Sequence, residues 1–243
     1  MTAARICPVG DLALNVEFAD EISPAVNAQI RAFTGALARA ALPGVVEIVP
    51  TYRSVTVHYR PEVMLYGELS ARLNALLDDL SAEDAAPAEV IELPVRYGGD
   101  MGPDLPFVAR HCGLSPDEVI RIHSAVEYLV YMLGFTPGFP YLGGMDERIA
   151  TPRLEKPRTR IPAGSVGIAG TQTGAYPLDT PGGWQLIGRT PVKLYDPDRE
   201  QPILLRAGQF VKFTPIDDKA YAEIAAAVQS GAYRCAVSRR PAR

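Results

Sequence analysis

The sequence predicts an α+β protein in two parts: a small N-terminal α+β sandwich of order ββαββα, then a closed or nearly closed β-barrel with flanking helices. Three observations predict it. Strand and helix signals alternate through the first eighty residues, a short polar alanine-rich stretch follows, and from Tyr128 to about Pro215 only strands and turns remain. A chain of 243 residues suits either two domains or one large β-rich one.

RICPVG and LALNVEF read as two strands joined at Gly10-Asp11, a turn pair that favours a hairpin. Ser23 can cap the next element with Pro24 at its first helical position. Val26, Ile30, Phe33 and Leu37 then recur at helical spacing, and Leu42-Pro43-Gly44 stops the helix. VVEIVP and SVTVHY alternate as a second strand pair. Leu65, Leu69, Leu73, Leu76 and Leu80 form the stripe of a second helix. Ser81 to Glu89 (SAEDAAPAE) has the composition of a linker, which divides the chain into domains 1–82 and 83–243. IELPVRY opens the second part as a strand. Asp104 to Glu127 carries two helical pieces broken at Gly113, and Ser115-Pro116-Asp117-Glu118 has the capping-box pattern that starts the second piece. Beyond Pro215, Asp217 to Ser230 supplies a final helix, and the basic tail SRRPAR is expected to fray.

Composition excludes several classes. Lys and Arg total 24 against 28 Asp and Glu, a formal charge of −4, so the balance does not point to a nucleic-acid surface. No apolar run reaches bilayer-spanning length, and Met1 to Gly10 lacks a signal-peptide core, so a cytoplasmic location is expected. Cys7, Cys112 and Cys235 are far apart and share no metal-ligand spacing, which fits a reducing compartment and no metal site.

The run YMLGFTPGFPYLGG, Tyr131 to Gly144, packs four aromatics, two prolines and four glycines into fourteen residues. It reads as a strand, Tyr128 to Phe135, that leaves the sheet at Pro137-Gly138 for a restrained loop bearing Phe139 and Tyr141. Such aromatics either plug a core or line a binding wall. His123 lies on the core-facing side of the preceding helix, with Val119 and Val126. It is either a hydrogen-bonded core histidine or a general acid or base.

In TPRLEKPRTRIPAGS, prolines every five residues restrain a loop carrying Arg153, Lys156, Arg158 and Arg160. Arg153 and Arg158, each directly after a proline, suit a carboxylate or phosphate. Gly164 to Pro191 contains seven of the chain's 21 glycines and its only tryptophan. The glycines match neither a P-loop nor a Rossmann fingerprint, so they are read as places where strands bend or approach a ligand. Gln172, Thr173 and Tyr176 offer neutral hydrogen-bonding groups, Asp179 a carboxylate, Trp184 a flat wall and Arg189 a further cation. No nucleophile carries a recognisable signature. One cleft shared by the stretches around Phe139, Arg153 and Trp184 is the economical hypothesis.

GFTPGFPYLGG, TPRLEKPRTRIPAGSVGIAG and YPLDTPGGWQLIGRTP resemble the signature blocks of one family. It contains the B-type subunit of 5-oxoprolinase, the sporulation kinase inhibitor KipI, and the allophanate hydrolase subunit 1 or carboxyltransferase domain of urea-carboxylase systems. The resemblance covers nearly the whole chain. It implies an N-terminal α+β domain and a C-terminal cyclophilin-like β-barrel. It also implies a C-type companion subunit of related barrel fold and an A-type subunit, with which the chain opens 5-oxoproline to glutamate at the expense of ATP. ATP, with Mg, is expected to be bound by the complex, and no nucleotide-binding residue can be named in this chain. With no biotin carboxylase or biotin-carrier sequence, the chain resembles the oxoprolinase subunit more than a carboxylase module. The alternatives are a KipI-like inhibitor of a sensor kinase and a carboxyltransferase half-site.

On the oxoprolinase reading Arg153 or Arg158 holds the substrate carboxylate, His123 moves a proton and Asp179 orients a donor. Phe139, Tyr141 and Trp184 exclude water, and Gln172, Tyr176 and Arg189 complete the substrate-binding set. One position departs from the family pattern: Gln209 in RAGQFVKF stands where the resemblance implies aspartate, in what reads as a turn.

Overall fold

Strand β1 (Arg5–Val9) pairs antiparallel with β2 (Ala13–Glu17) across a turn in which Gly10 takes φ +60°. The computed structural model describes residues 4–80 and 88–240 of the chain. Helix α1 (Pro24–Ala40) begins where Ser23 Oγ accepts the N–H of Val26 at 3.2 Å, and it buries Val26, Ile30, Phe33 and Leu37. It ends just before the proline-glycine stop, on Ala41 in the left-handed conformation. Strands β3 (Val45–Pro50) and β4 (Ser54–Tyr59) complete a four-stranded antiparallel sheet of order β1-β2-β4-β3.

Helix α2 (Tyr66–Asp78) buries Leu69 and Leu73 against the sheet. Leu76 and Leu80 pack partly, but Leu65 sits at the N-cap and is 71% exposed, so the predicted stripe starts one turn late. One contiguous core joins Leu14, Val16, Val55 and Val57 of the strands to Ile30, Phe33, Leu69 and Leu73 of the helices. This is the expected small α+β sandwich.

The described chain divides into two compact units, residues 4–80 and 88–240. Of the predicted linker, 81–87 lie outside the described residues, and Glu89 already opens the long strand β5 (Glu89–Tyr97). β5 runs through the middle of the second unit. β13 (Phe210–Pro215) lies parallel along one side of it; β14 (Val237–Arg239) and then β12 (Gln185–Arg189) pair with the other. The predicted fraying of the tail is therefore wrong for Ser238 and Arg239, which are held in β14 by pairing with Glu89 and Val90.

The sheet path is β10 (Gln172–Ala175), β9 (Ser165–Ala169), β12, β5, β13, β6 (Glu127–Leu133) and β7 (Pro140–Gly143). Its ends meet: a Cβ on Gly174 of β10 would lie 3.4 Å from the carbonyl of Pro140 on β7, so the sheet nearly closes into a barrel. A two-stranded ribbon, β8 (Arg158–Ile161) with β11 (Thr180–Gly182), stands beside it.

The aromatic run does not leave the sheet for good. Only residues 134–139 form the loop, and β7 returns antiparallel to β6 with Tyr141 opposite Met132. Helices α3 (Leu105–Cys112) and α4 (Pro116–Ser124) are separated by Gly113 at φ +68°. The α4 capping box is complete, with Ser115 N–H donating to Glu118 at 2.8 Å and Glu118 N–H donating to Ser115 Oγ at 3.2 Å. The last helix, α5 (Asp218–Gln229), is capped by Asp217.

Candidate functional site

Phe139 and Tyr141 at the β6–β7 return, Tyr176 after β10, and Trp184 before β12 meet at one end of the barrel. Phe139 is central, with edge-on contacts to Tyr141 at 5.5 Å, Tyr176 at 5.4 Å and Trp184 at 5.6 Å. Ile161, Ala169 and Leu186 fill the gaps beneath. Glycine permits this packing: a Cβ on Gly174 would press on both Phe139 and Trp184 at 3.2 Å. The aromatics are thus mostly a core plug, with Tyr141 partly open. Phe135, at the loop tip, takes φ +63° and is 65% exposed while its ring meets Phe139 edge-on at 5.6 Å.

The proline-rich loop runs beside this plug, held at several points. Thr151 exchanges backbone hydrogen bonds with Gly170, the Pro152 carbonyl accepts from the buried Gln185 amide at 2.9 Å, and Leu154 N–H donates to Gly183 at 2.7 Å. Arg158 is committed to Asp104, at 2.7 Å, and also donates to the Trp184 carbonyl at 3.3 Å. Asp104 precedes α3 without capping it, because its second oxygen accepts the Leu186 N–H at 2.6 Å. Arg153 has no hydrogen-bond or ion-pair partner among the described residues, yet its charge and that of Arg158 reach the Tyr176 hydroxyl. Burial pushes that phenol up to about 12 and the two cations oppose the rise.

The two residues expected to be catalytic, His123 and Asp179, are both engaged in hydrogen bonds within the chain. His123 is 0% exposed. Its Nδ1 lies 2.8 Å from the Tyr97 hydroxyl and its Nε2 2.8 Å from Thr173 Oγ1. Thr173 Oγ1 spends its own hydrogen on the Gly167 carbonyl at 3.0 Å, so Nε2 carries the proton and Nδ1 accepts from Tyr97. The ring stacks on Phe213 at 4.8 Å, and burial pushes its pKa down to about 3. It sits in the core with both ring nitrogens hydrogen-bonded. Asp179 accepts from Arg160 at 2.6 and 2.8 Å and from the Ala163 N–H at 2.8 Å, which hold its carboxyl below the usual range. It clamps the loop after β8 to β11.

Arg189 likewise braces that loop, donating to the Ala163 carbonyl at 2.9 Å, and Gln172 is half-buried at the start of β10. The structure therefore brings Phe139, Tyr141, Arg153, Arg158, Tyr176 and Trp184 together, and leaves His123 in the core. Sequence reasoning missed Asp104 and Gln185, whose partners lie 54 and 33 residues away. No local pattern marks such pairings.

Gly167 and Gly174 face each other as paired strand residues instead of forming a phosphate-cradling loop, and Arg158 and Arg160 are already paired. Among the described residues no group of His, Cys, Asp and Glu side chains could hold a metal ion, and no helix is long and apolar enough to cross a membrane.

This fold and sequence define a carboxyltransferase-domain protein: the chain belongs to the family described as carboxyltransferase domain, subdomain C and D, which matches residues 4–205. It is 48% identical over 227 residues to the B-type subunit of 5-oxoprolinase from Bacillus subtilis (strain 168), spanning 89% of this chain and 95% of that one. The equivalent 5-oxoprolinase subunit from Escherichia coli O157:H7 is 46% identical over 215 residues, spanning 88% and 97%. Among solved structures, that of TTHA0988 superposes with a TM-score of 0.74 at 41% identity, covering 84% of this chain and 40% of that one.

Proposed function

We propose that this chain is the B-type subunit of an ATP-dependent 5-oxoprolinase, working with an A-type and a C-type subunit to open the lactam of 5-oxoproline to glutamate. The observation that carries the reading is the near full-length match to B-type 5-oxoprolinase subunits from two bacteria. The end of the barrel suits the task. Tyr141, partly open over the plug of Phe139 and Trp184, offers apolar surface for a five-membered ring, while the basic loop supplies positive charge for the carboxylate. A lactam is resonance-stabilised, so cleavage needs an activated oxygen or a driving force, which ATP supplies when bound.

On this reading ATP, with Mg, is bound by the assembled complex, and no P-loop lies among the described residues of this chain. We place the protein in the cytoplasm, in keeping with its three free cysteines. A kinase-binding regulator is the second reading, favoured by the exposed Phe135 at a restrained loop tip. The test is 5-oxoproline-dependent ADP release by the three subunits together, with each omitted in turn. Activity that persists without this chain counts against the proposal.

A further inference from the structure

Two groups in this protein are held in place with nothing to bind. Arg153 is fixed from both sides: Thr151 is tied to Gly170, Pro152 to the buried Gln185 and Leu154 to Gly183, yet the guanidinium has no partner among the described residues. Tyr176 is 2% exposed and wedged between Phe139 and Trp184, yet its hydroxyl has no hydrogen-bond partner among the described residues either. Gly182 makes room for that hydroxyl, since a Cβ there would fall 2.8 Å from it.

The small accessible part of Tyr176 includes its hydroxyl, which can therefore meet a ligand, and a loop tethered at three successive points ordinarily positions something. Leu154, next to Arg153, bonds Gly183, whose neighbour Gly182 faces the hydroxyl, and the charges of Arg153 and Arg158 reach it. Arg158 is already neutralised by Asp104 at 2.7 Å, so Arg153 is left as the available donor fork.

We infer that Arg153 and the Tyr176 hydroxyl together form a carboxylate subsite, the guanidinium and the phenol each donating to the anion. This deepens the oxoprolinase reading and rests on it for the identity of the ligand: the carboxylate of 5-oxoproline docks here while its ring lies toward Trp184 and Tyr141. The subsite selects a ring acid over the corresponding neutral amide, because only the acid matches the unpaired cation.

The test uses the full chain assembled with its companion subunits. kcat and KM are measured for 5-oxoproline and for its neutral carboxamide with wild type, Arg153→Met and Tyr176→Phe. Binding of labelled 5-oxoproline is measured in parallel by equilibrium dialysis, which needs no turnover. Arg153→Met is expected to raise KM for 5-oxoproline about thirtyfold, and Tyr176→Phe about tenfold, with smaller effects on kcat and little effect on the carboxamide. Arg153 is exposed and Tyr176→Phe keeps the ring, so both variants should fold; thermal midpoints check this. An active complex whose KM ignores both substitutions overturns the subsite and leaves the subunit assignment standing. An inactive complex that binds 5-oxoproline through Arg153 supports the subsite and defeats the assignment. No binding at millimolar ligand overturns the subsite.

Discussion

Asp104 joins two parts of the second unit that are far apart in sequence: one carboxylate oxygen holds Arg158 of β8 at 2.7 Å, the other accepts the Leu186 N–H of β12 at 2.6 Å. The side chain is mostly buried, so this bridge is better shielded than a surface pair. It fixes the base of the basic loop to the barrel. Asp104→Ala leaves Arg158 without its counterion and the Leu186 N–H without an acceptor. The expected loss is about 2 kcal/mol in urea unfolding at neutral pH, with a smaller loss for Asp104→Asn. An unchanged midpoint in both would show that the bridge does not stabilise the fold.

His123 makes stability depend on pH. Burial lowers its folded-state pKa from the ordinary 6.5 to about 3, so across that interval the unfolded chain binds a proton that the folded chain refuses. The histidine's contribution is therefore present above about pH 6.5 and is lost as the pH falls toward 3. Tyr97 and Tyr128, raised by burial, stay protonated throughout and do not offset it. Between about pH 6.5 and 4.5 the wild type should lose about 2 kcal/mol more than His123→Gln, which cannot titrate. Parallel stability curves for the two proteins would contradict the assignment of a neutral buried imidazole.

Gln209 closes the turn before β13. Its Oε1 accepts the Arg206 N–H at 2.7 Å and its Nε2 donates to Glu89 at 2.8 Å, the main cause of the lowered pKa of Glu89. An amide can do both, whereas a carboxylate would meet Glu89 as a like charge. Gln209→Glu should cost about 1 kcal/mol at neutral pH and recover as the pH falls through the carboxylate range. A thermal-melt series from pH 7 to pH 4 decides it, and a deficit that grows in acid would refute the like-charge argument.

What could be read from sequence was what is decided locally. Ser23 with Val26, and Ser115 with Glu118, are three residues apart, and both caps form as read. The apolar stripes gave both N-terminal helices and their buried leucines, apart from Leu65, because helical periodicity is itself local. The pairing of Tyr141 with Met132 and of Ser238 with Val90 depends on which strand edges are vacant, which residue types do not disclose. His123 was correctly turned inward by spacing. Its fate as a core residue was settled by Tyr97 and Thr173, 26 and 50 residues away. The same holds for the loop cations: Arg153 and Arg158 look alike in sequence, each directly after a proline, and only the placement of Asp104 separates the paired Arg158 from Arg153.

The most direct measurement is ADP release on adding 5-oxoproline to this chain reconstituted with its A-type and C-type companions, compared with the same mixture lacking it. Substrate-dependent ADP release and glutamate formation that disappear without this chain are the predicted result. Equal activity with and without it, or none from a well-folded complex, would contradict the assignment as an oxoprolinase subunit and turn attention to the kinase-binding surface around Phe135.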